Sequence, residues 1–101
     1  MTVLVILRVK GDATKIEELS REDPTMLKTV VERAKSNGLI RHRFFGNADE
    51  IIVVDEWPDE ASFQKFFDSS PEIPEMMARA GVTSPPQITF ANALAVDDAF
   101  G

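Results

Sequence analysis

His42 is the single histidine of the chain, and histidine is the side chain whose ordinary titration lies near neutrality, which suits it to general acid and base work. Candidate companions are close in sequence: Asp55, the carboxylates of Asp49 and Glu50, and the indole of Trp57. The chain has no cysteine, which excludes a thiolate nucleophile, a disulfide framework and a zinc site built on sulfur. A bound metal normally takes three protein ligands, and one histidine with Asp49, Glu50 or Asp55 is too sparse a set. Neither a metal nor a cofactor is expected. Trp57, Phe63, Phe66 and Phe67 are spaced to wall an apolar pocket between sheet and helices, with Met76 and Met77 as flexible lining. Aromatic residues at that spacing also serve simply to fill a core.

Whether His42 meets Asp55 depends on strand register. A hairpin closed across Asn47 and Ala48 sets His42 opposite Val53, on the same face as Asp55 and Trp57, whereas a three-residue loop turns Asp55 and Trp57 to the other face. In the first of these registers the site expected from the residues is His42 and Asp55 as the catalytic pair, with Trp57, Phe63, Phe66 and Met76 contacting a small apolar or aromatic ligand.

The elements that must hold these residues follow from periodicity and punctuation. Thr2 to Lys10 reads as a strand of β-branched residues and leucine, apolar on both faces, which implies cover on both. Thr14-Lys15-Ile16-Glu17 has capping-box spacing and opens a short helix. Asp23-Pro24 opens a second, with Met26, Leu27, Val30, Val31 and Ala34 as its apolar stripe and Gly38 as the left-handed stop after Asn37. Leu39–Phe45 and Glu50–Trp57 read as strands of an antiparallel hairpin across Gly46-Asn47-Ala48-Asp49. Pro58-Asp59 opens a helix carrying Phe63, Phe66 and Phe67, and Ser70-Pro71 opens a turn carrying Ile73, Met76 and Met77 until Gly81. After Pro85-Pro86, the last strand spans Gln87–Val96, with Ile88, Phe90, Leu94 and Val96 on its large face.

This order is that of the ferredoxin-like βαββαβ plait, an α+β fold with a four-stranded antiparallel sheet and helices on one face. Leu4, Ile6, Ala91 and Ala93 then fall on the open face, an apolar patch that a homodimer packing sheet on sheet would cover. The tail Asp97-Asp98-Ala99-Phe100 could lay its phenylalanine on the partner or fray. An RNA-recognition plait needs exposed aromatics where this chain has Ile51-Ile52-Val53-Val54. An acylphosphatase-like plait needs a glycine-rich turn with an arginine where this chain has only Gly11 between Lys10 and Asp12.

Length and charge bound the rest. The 101 residues fit a single domain over 1–101. A net charge of -6 repels a phosphate backbone, so no nucleic acid partner is expected. Arg41 and Arg43 alternate on a strand and suit ion pairs with Glu50, Glu56 or a partner chain. No apolar run reaches the about 20 residues of a membrane span. Met1–Val9 lacks the basic flank and cleavage site of a signal peptide, which points to the cytoplasm.

The stretch Val54-Asp55-Glu56-Trp57-Pro58-Asp59-Glu60-Ala61-Ser62-Phe63-Gln64-Lys65-Phe66-Phe67 resembles the strand-to-helix segment of the antibiotic biosynthesis monooxygenase-like family of the dimeric α+β barrel superfamily. There a Glu-Trp pair ends the third strand, and the likeness in length and element order runs from Val3 to Val96. The resemblance implies a sheet-to-sheet homodimer with a cleft between helices and sheet in each subunit. It also implies oxidation of a polyphenolic or polyketide-like substrate by dioxygen without metal or cofactor. The family's quinone-forming members carry an Asn and a Tyr at the positions of Val53 and Phe63, and only Trp57 is kept. Its haem-degrading relatives carry an Asn, a Trp and a His near Leu7, Phe66 and Met76, so no axial ligand remains. The function expected is a cofactor-independent monooxygenase, the alternative being a non-catalytic ligand-binding or purely structural dimer.

Overall fold

The computed structural model describes residues 2–101. Its elements are β1 (Val3–Lys10), α1 (Ala13–Glu22), α2 (Pro24–Ser36), β2 (Arg41–Gly46), β3 (Glu50–Trp57), α3 (Glu60–Ser69), α4 (Glu72–Arg79) and β4 (Gln87–Asn92). All strand pairs are antiparallel, in the sheet order β2-β3-β1-β4. This is the ferredoxin-like α+β plait expected from the sequence, with each helical connection split in two.

The core forms because alternate residues of the central strand face the helices. Val3, Val5, Leu7 and Val9 are buried, together with Ile51 and Trp57 of β3 and Ile16, Phe63, Phe66, Ile73 and Met76 of the helices. Leu4 and Ile6 stand on the other face, and Leu4 is 38% exposed, so in the protomer the cover predicted for both faces of β1 is present on one only.

Three of the four described helices, α1 to α3, start at a capping aspartate. Asp12 caps α1, its Oδ1 accepting from the Thr14 amide at 2.9 Å and the Thr14 hydroxyl at 2.6 Å. The predicted Thr14–Glu17 capping box is thus displaced: Thr14 lies inside the helix and serves the cap. Asp23 caps α2 with Pro24 at its first position, and Asp59 caps α3 through the Ser62 amide at 2.7 Å. The Thr14 hydroxyl and amide hold the Asp12 carboxyl below its usual range, and the Ser62 amide and hydroxyl do the same for Asp59. These depressed carboxyls stabilise the fold above their unfolded values, and that contribution is lost as pH falls through the lowered ones. Gly38 adopts φ 107° after α2, and the Leu39 amide bonds back to Ala34 O at 3.0 Å. That closing turn uses Leu39, so β2 begins at Arg41 instead of Leu39.

Two boundaries differ further. The β4 strand stops at Asn92, where Ala93 N donates to Thr2 O at 3.0 Å. Beyond that point Leu94 and Val96 are exposed at 80% and 56% despite their alternation. In the hairpin, Asn47 N donates to Glu50 O at 3.0 Å, so the chain reverses across Ala48 and Asp49, one position later than Asn47 and Ala48. His42 therefore pairs with Asp55, not Val53. Each β2 residue faces the β3 residue two positions further on than expected, which preserves the face of every side chain.

Gly46 lies under the start of α1, where an added Cβ would sit 2.5 Å from the Ala13 Cβ and 3.1 Å from Glu50 O. Gly46→Ala is expected to destabilise the protein by about 1–3 kcal/mol, the usual cost of overpacking. Urea unfolding checks this, and an unchanged midpoint would mean that α1 shifts freely.

Candidate functional site

β2 and β3 present His42, Phe44, Val53, Asp55 and Trp57 on the helix-facing side of the sheet, because these positions alternate in register. The pairing of His42 with Asp55 across the ladder brings His42 Nδ1 to 2.8 Å from Asp55 Oδ1. From two residues along the same strand, Trp57 Nε1 donates to the other oxygen, Oδ2, at 3.2 Å. The Asp55 side chain is 8% exposed and that of His42 24%.

A buried carboxylate costs several kcal/mol unless its oxygens are satisfied. Here each oxygen takes one nitrogen. A carboxylate only accepts, so the imidazole must present Nδ1–H to it, which places the lone pair of the neutral ring on Nε2. Among the described residues Nε2 has no protein hydrogen-bond partner. The ring is steadied from the side by Phe44, edge-on with centroids 5.0 Å apart.

His42 and Asp55 are the only polar residues among those lining a cavity of about 70 Å³ between the sheet and the helices. One water needs roughly 10–15 Å³ of such space, so several fit. Phe63, Phe66 and Met76 line it as predicted, with Phe67 and Met77 beside them. Trp57 does not. It is fully buried behind Asp55, packed on Phe66 at 5.3 Å and Phe63 at 5.7 Å, and it touches the cavity's chemistry only through its N–H. The wall expected of it is supplied by Phe44 and Val53 from the sheet and by Leu27, Val30, Val31 and Ala34 from α2. The apolar stripe of α2 was visible in the sequence, but a stripe signals a buried face and not that the face roofs a hollow.

Helix α2 is tied to α4 at both ends. Arg79 reaches Asp23 Oδ2 at 3.0 Å, and Arg33 pairs with Glu72 while also donating to Ser69 O at 3.2 Å. Of the other two candidate carboxylates, Asp49 lies in the hairpin turn and Glu50 turns to the far face and pairs with Arg8 at 3.0 Å. Arg41 meets Glu56 at 3.5 Å and Arg43 lies over the Phe45 ring at 5.7 Å. No group of three or more His, Asp or Glu side chains suited to a metal ion occurs among the described residues. Two surface grooves are larger, about 280 Å³ beside Phe45 and Gly46 and about 360 Å³ beside Lys10 and Pro85. Neither brings a buried polar pair to an apolar wall, so chemistry favours the smaller cavity.

The chain has the fold of solved antibiotic biosynthesis monooxygenases. A structure described as an antibiotic biosynthesis monooxygenase superposes with a TM-score of 0.61 at 13% identity, over 91% of this chain and 98% of that one. A cofactor-independent oxygenase from Streptomyces nogalater gives 0.60 at 12% identity, over 97% of each chain. A protein of unknown function from Nitrosomonas europaea gives 0.61 at 20% identity, over 99% of this chain and 96% of that one. No protein-family model and no curated relative matches the chain.

Replacing Asp55 by Asn should test the arrangement directly. An amide offers one accepting oxygen to two donors and aims its own N–H₂ at one of them, so Asp55→Asn is expected to cost about 1–3 kcal/mol in denaturant unfolding. Nitrogen chemical shifts of the sole histidine should show the neutral ring losing its Nδ1–H preference; an unchanged tautomer would show that Asp55 does not orient it.

Proposed function

We propose that the protein is a cofactor-independent monooxygenase that binds the reacting ring of an aromatic or polyketide-like molecule in the cavity. His42, held by Asp55, takes the proton of a substrate hydroxyl on Nε2. The carrying observation is the imidazole fixed at 2.8 Å by a buried carboxylate, in a ring that lines an otherwise apolar cavity. A general base needs a lone pair facing the proton it removes and a geometry that does not relax away from it. Loss of the proton leaves an electron-rich anion, which supplies electrons to dioxygen. One oxygen atom enters the product and the other leaves as water, with the electrons drawn from the substrate.

The fold shared with a named cofactor-independent oxygenase supports this reading. The hollow weighs against a purely structural dimer, whose interior would be filled. The family's asparagine and tyrosine positions are Val53 and Phe63 here, both on the cavity wall. Polar work left to side chains thus falls on His42 and Asp55.

We further read the active form as a cytoplasmic homodimer joined through the open sheet face. Leu4, Ile6, Ile52, Val54 and Ala91 share that face by register, and an apolar patch of this kind is normally covered. No helix of the described residues is long and apolar enough to cross a membrane.

His42→Ala is expected to reduce dioxygen uptake with a phenolic substrate by about a hundredfold or more, the usual contribution of a general base, with the oligomer intact. Uptake at the wild-type rate would remove His42 from the mechanism. Ile6→Glu should give monomers by light scattering, since the residues paired with it across the sheet, Val54 and Thr89, carry no charge and a carboxylate buried unpaired in the apolar face is costly; an unaltered mass would place the interface elsewhere.

A further inference from the structure

We propose that the cavity admits its substrate as an uncharged molecule carrying an acidic hydroxyl, a phenol or an enol, and discriminates against the same skeleton bearing a carboxylate or another fixed negative charge. This selectivity rests on the reading of the cavity as a substrate site and deepens it by naming the charge state that the site accepts.

The polar inventory of the cavity sets the rule. Its lining contains one carboxylate, Asp55, and one imidazole, His42, with every other lining residue apolar. No lysine or arginine is among them. Arg41 is paired with Glu56 and Arg43 lies over Phe45 on the opposite face of the sheet, Arg33 is paired with Glu72 and Arg79 with Asp23, while Lys28 and Lys65, next to the lining residues Leu27 and Phe66, are exposed and do not line the cavity. A fixed anion entering the cavity would therefore face the Asp55 charge across apolar walls that do not screen it, inside a chain whose net charge is already -6. Both Asp55 oxygens already hold their N–H donors, leaving the anion only His42 to pair with.

The carboxylate and the hydroxyl differ in where the needed proton comes from. A carboxylate can be balanced only if His42 first takes a proton from water, so its binding competes with bulk solvent for that proton. A phenol brings its own. On transfer, the O–H bond breaks, an Nε2–H bond forms, and the electron pair stays on oxygen, so phenolate and imidazolium appear together as adjacent opposite charges. Asp55, already hydrogen-bonded to Nδ1, stabilises the imidazolium. Total charge in the cavity does not change at any point. A substrate with a second, permanent negative charge breaks that balance before the reaction begins.

The chain contains one histidine and one tryptophan, whose side-chain resonances mark the two ends of the Asp55 hydrogen-bond chain. Isotope-labelled protein is titrated at neutral pH with para-ethylphenol and, separately, with para-ethylbenzoate and with para-ethylbenzamide, the last of which matches the benzoate in shape without its charge and is expected to bind more tightly than it does. The expected result is that the phenol moves the His42 and Trp57 signals with an affinity about tenfold or more above that of the benzoate, the scale of a like-charge penalty in a partly buried site. Equal or tighter binding of the benzoate, with the same signals moving, would overturn the charge selectivity and leave His42 available as a base. If none of the compounds moves them, the selectivity and the cavity's role as a substrate site fail together.

Discussion

The Asp55 carboxylate is the constraint around which the site is built. It is a negative charge set among apolar side chains, tolerable only because each oxygen accepts from a nitrogen, Nδ1 of His42 on one and Nε1 of Trp57 on the other. Neither donor can leave without stranding part of a buried charge. The requirement therefore fixes the imidazole, its tautomer and the indole together. It also explains why a tryptophan sits at the end of β3 with no exposed surface: it acts as a donor and a packing block, and not as a wall of the hollow.

Solid and hollow regions lie side by side under the helices. Behind Asp55 the rings of Trp57, Phe63 and Phe66 are packed at aromatic contact distances, and Phe63 extends the cluster to Phe67 and Phe90. In front of it the space beneath α2 is open. Packing alone would favour collapse of α2 onto the sheet. The ion pairs from Asp23 and Arg33 to α4 instead register α2 against its neighbour helix at both ends. Individually such pairs add little stability, but they set position, which is what a cavity roof requires.

The two faces of the sheet divide the work by the parity of the strands. Odd positions of β1 and β3 build the core and the site, while even positions such as Ile6, Ile52 and Val54 form the outer apolar band. Arg8, Arg41 and Arg43 border that band with their own partners, so basic charge is kept away from the cavity. An imidazole on one side of β2 and arginines on the other follow from one alternation.

Much of this was legible in the residues. The order of strands and helices along the chain, the second helix start at Asp23-Pro24, the stop at Gly38 and the face that Asp55 and Trp57 share within one strand depend on local backbone chemistry and on a period of two, which the chain states explicitly. The exact opposition of strands did not, because a turn over Asn47-Ala48 and one over Ala48-Asp49 are locally similar, and Gly46 packing under Ala13 is a long-range fact. The end of β4 was hidden for the same reason: alternation continues to Val96, but only β1 decides where pairing runs out. Sequence alone determined which side chains of one strand share a face, and left open whether His42 joins Asp55 and Trp57. Tertiary structure decided that His42 lies directly across from Asp55, that Trp57 stands behind the carboxylate, and that a hollow remains, because these depend on how α2 docks over the sheet and no local pattern encodes an empty volume.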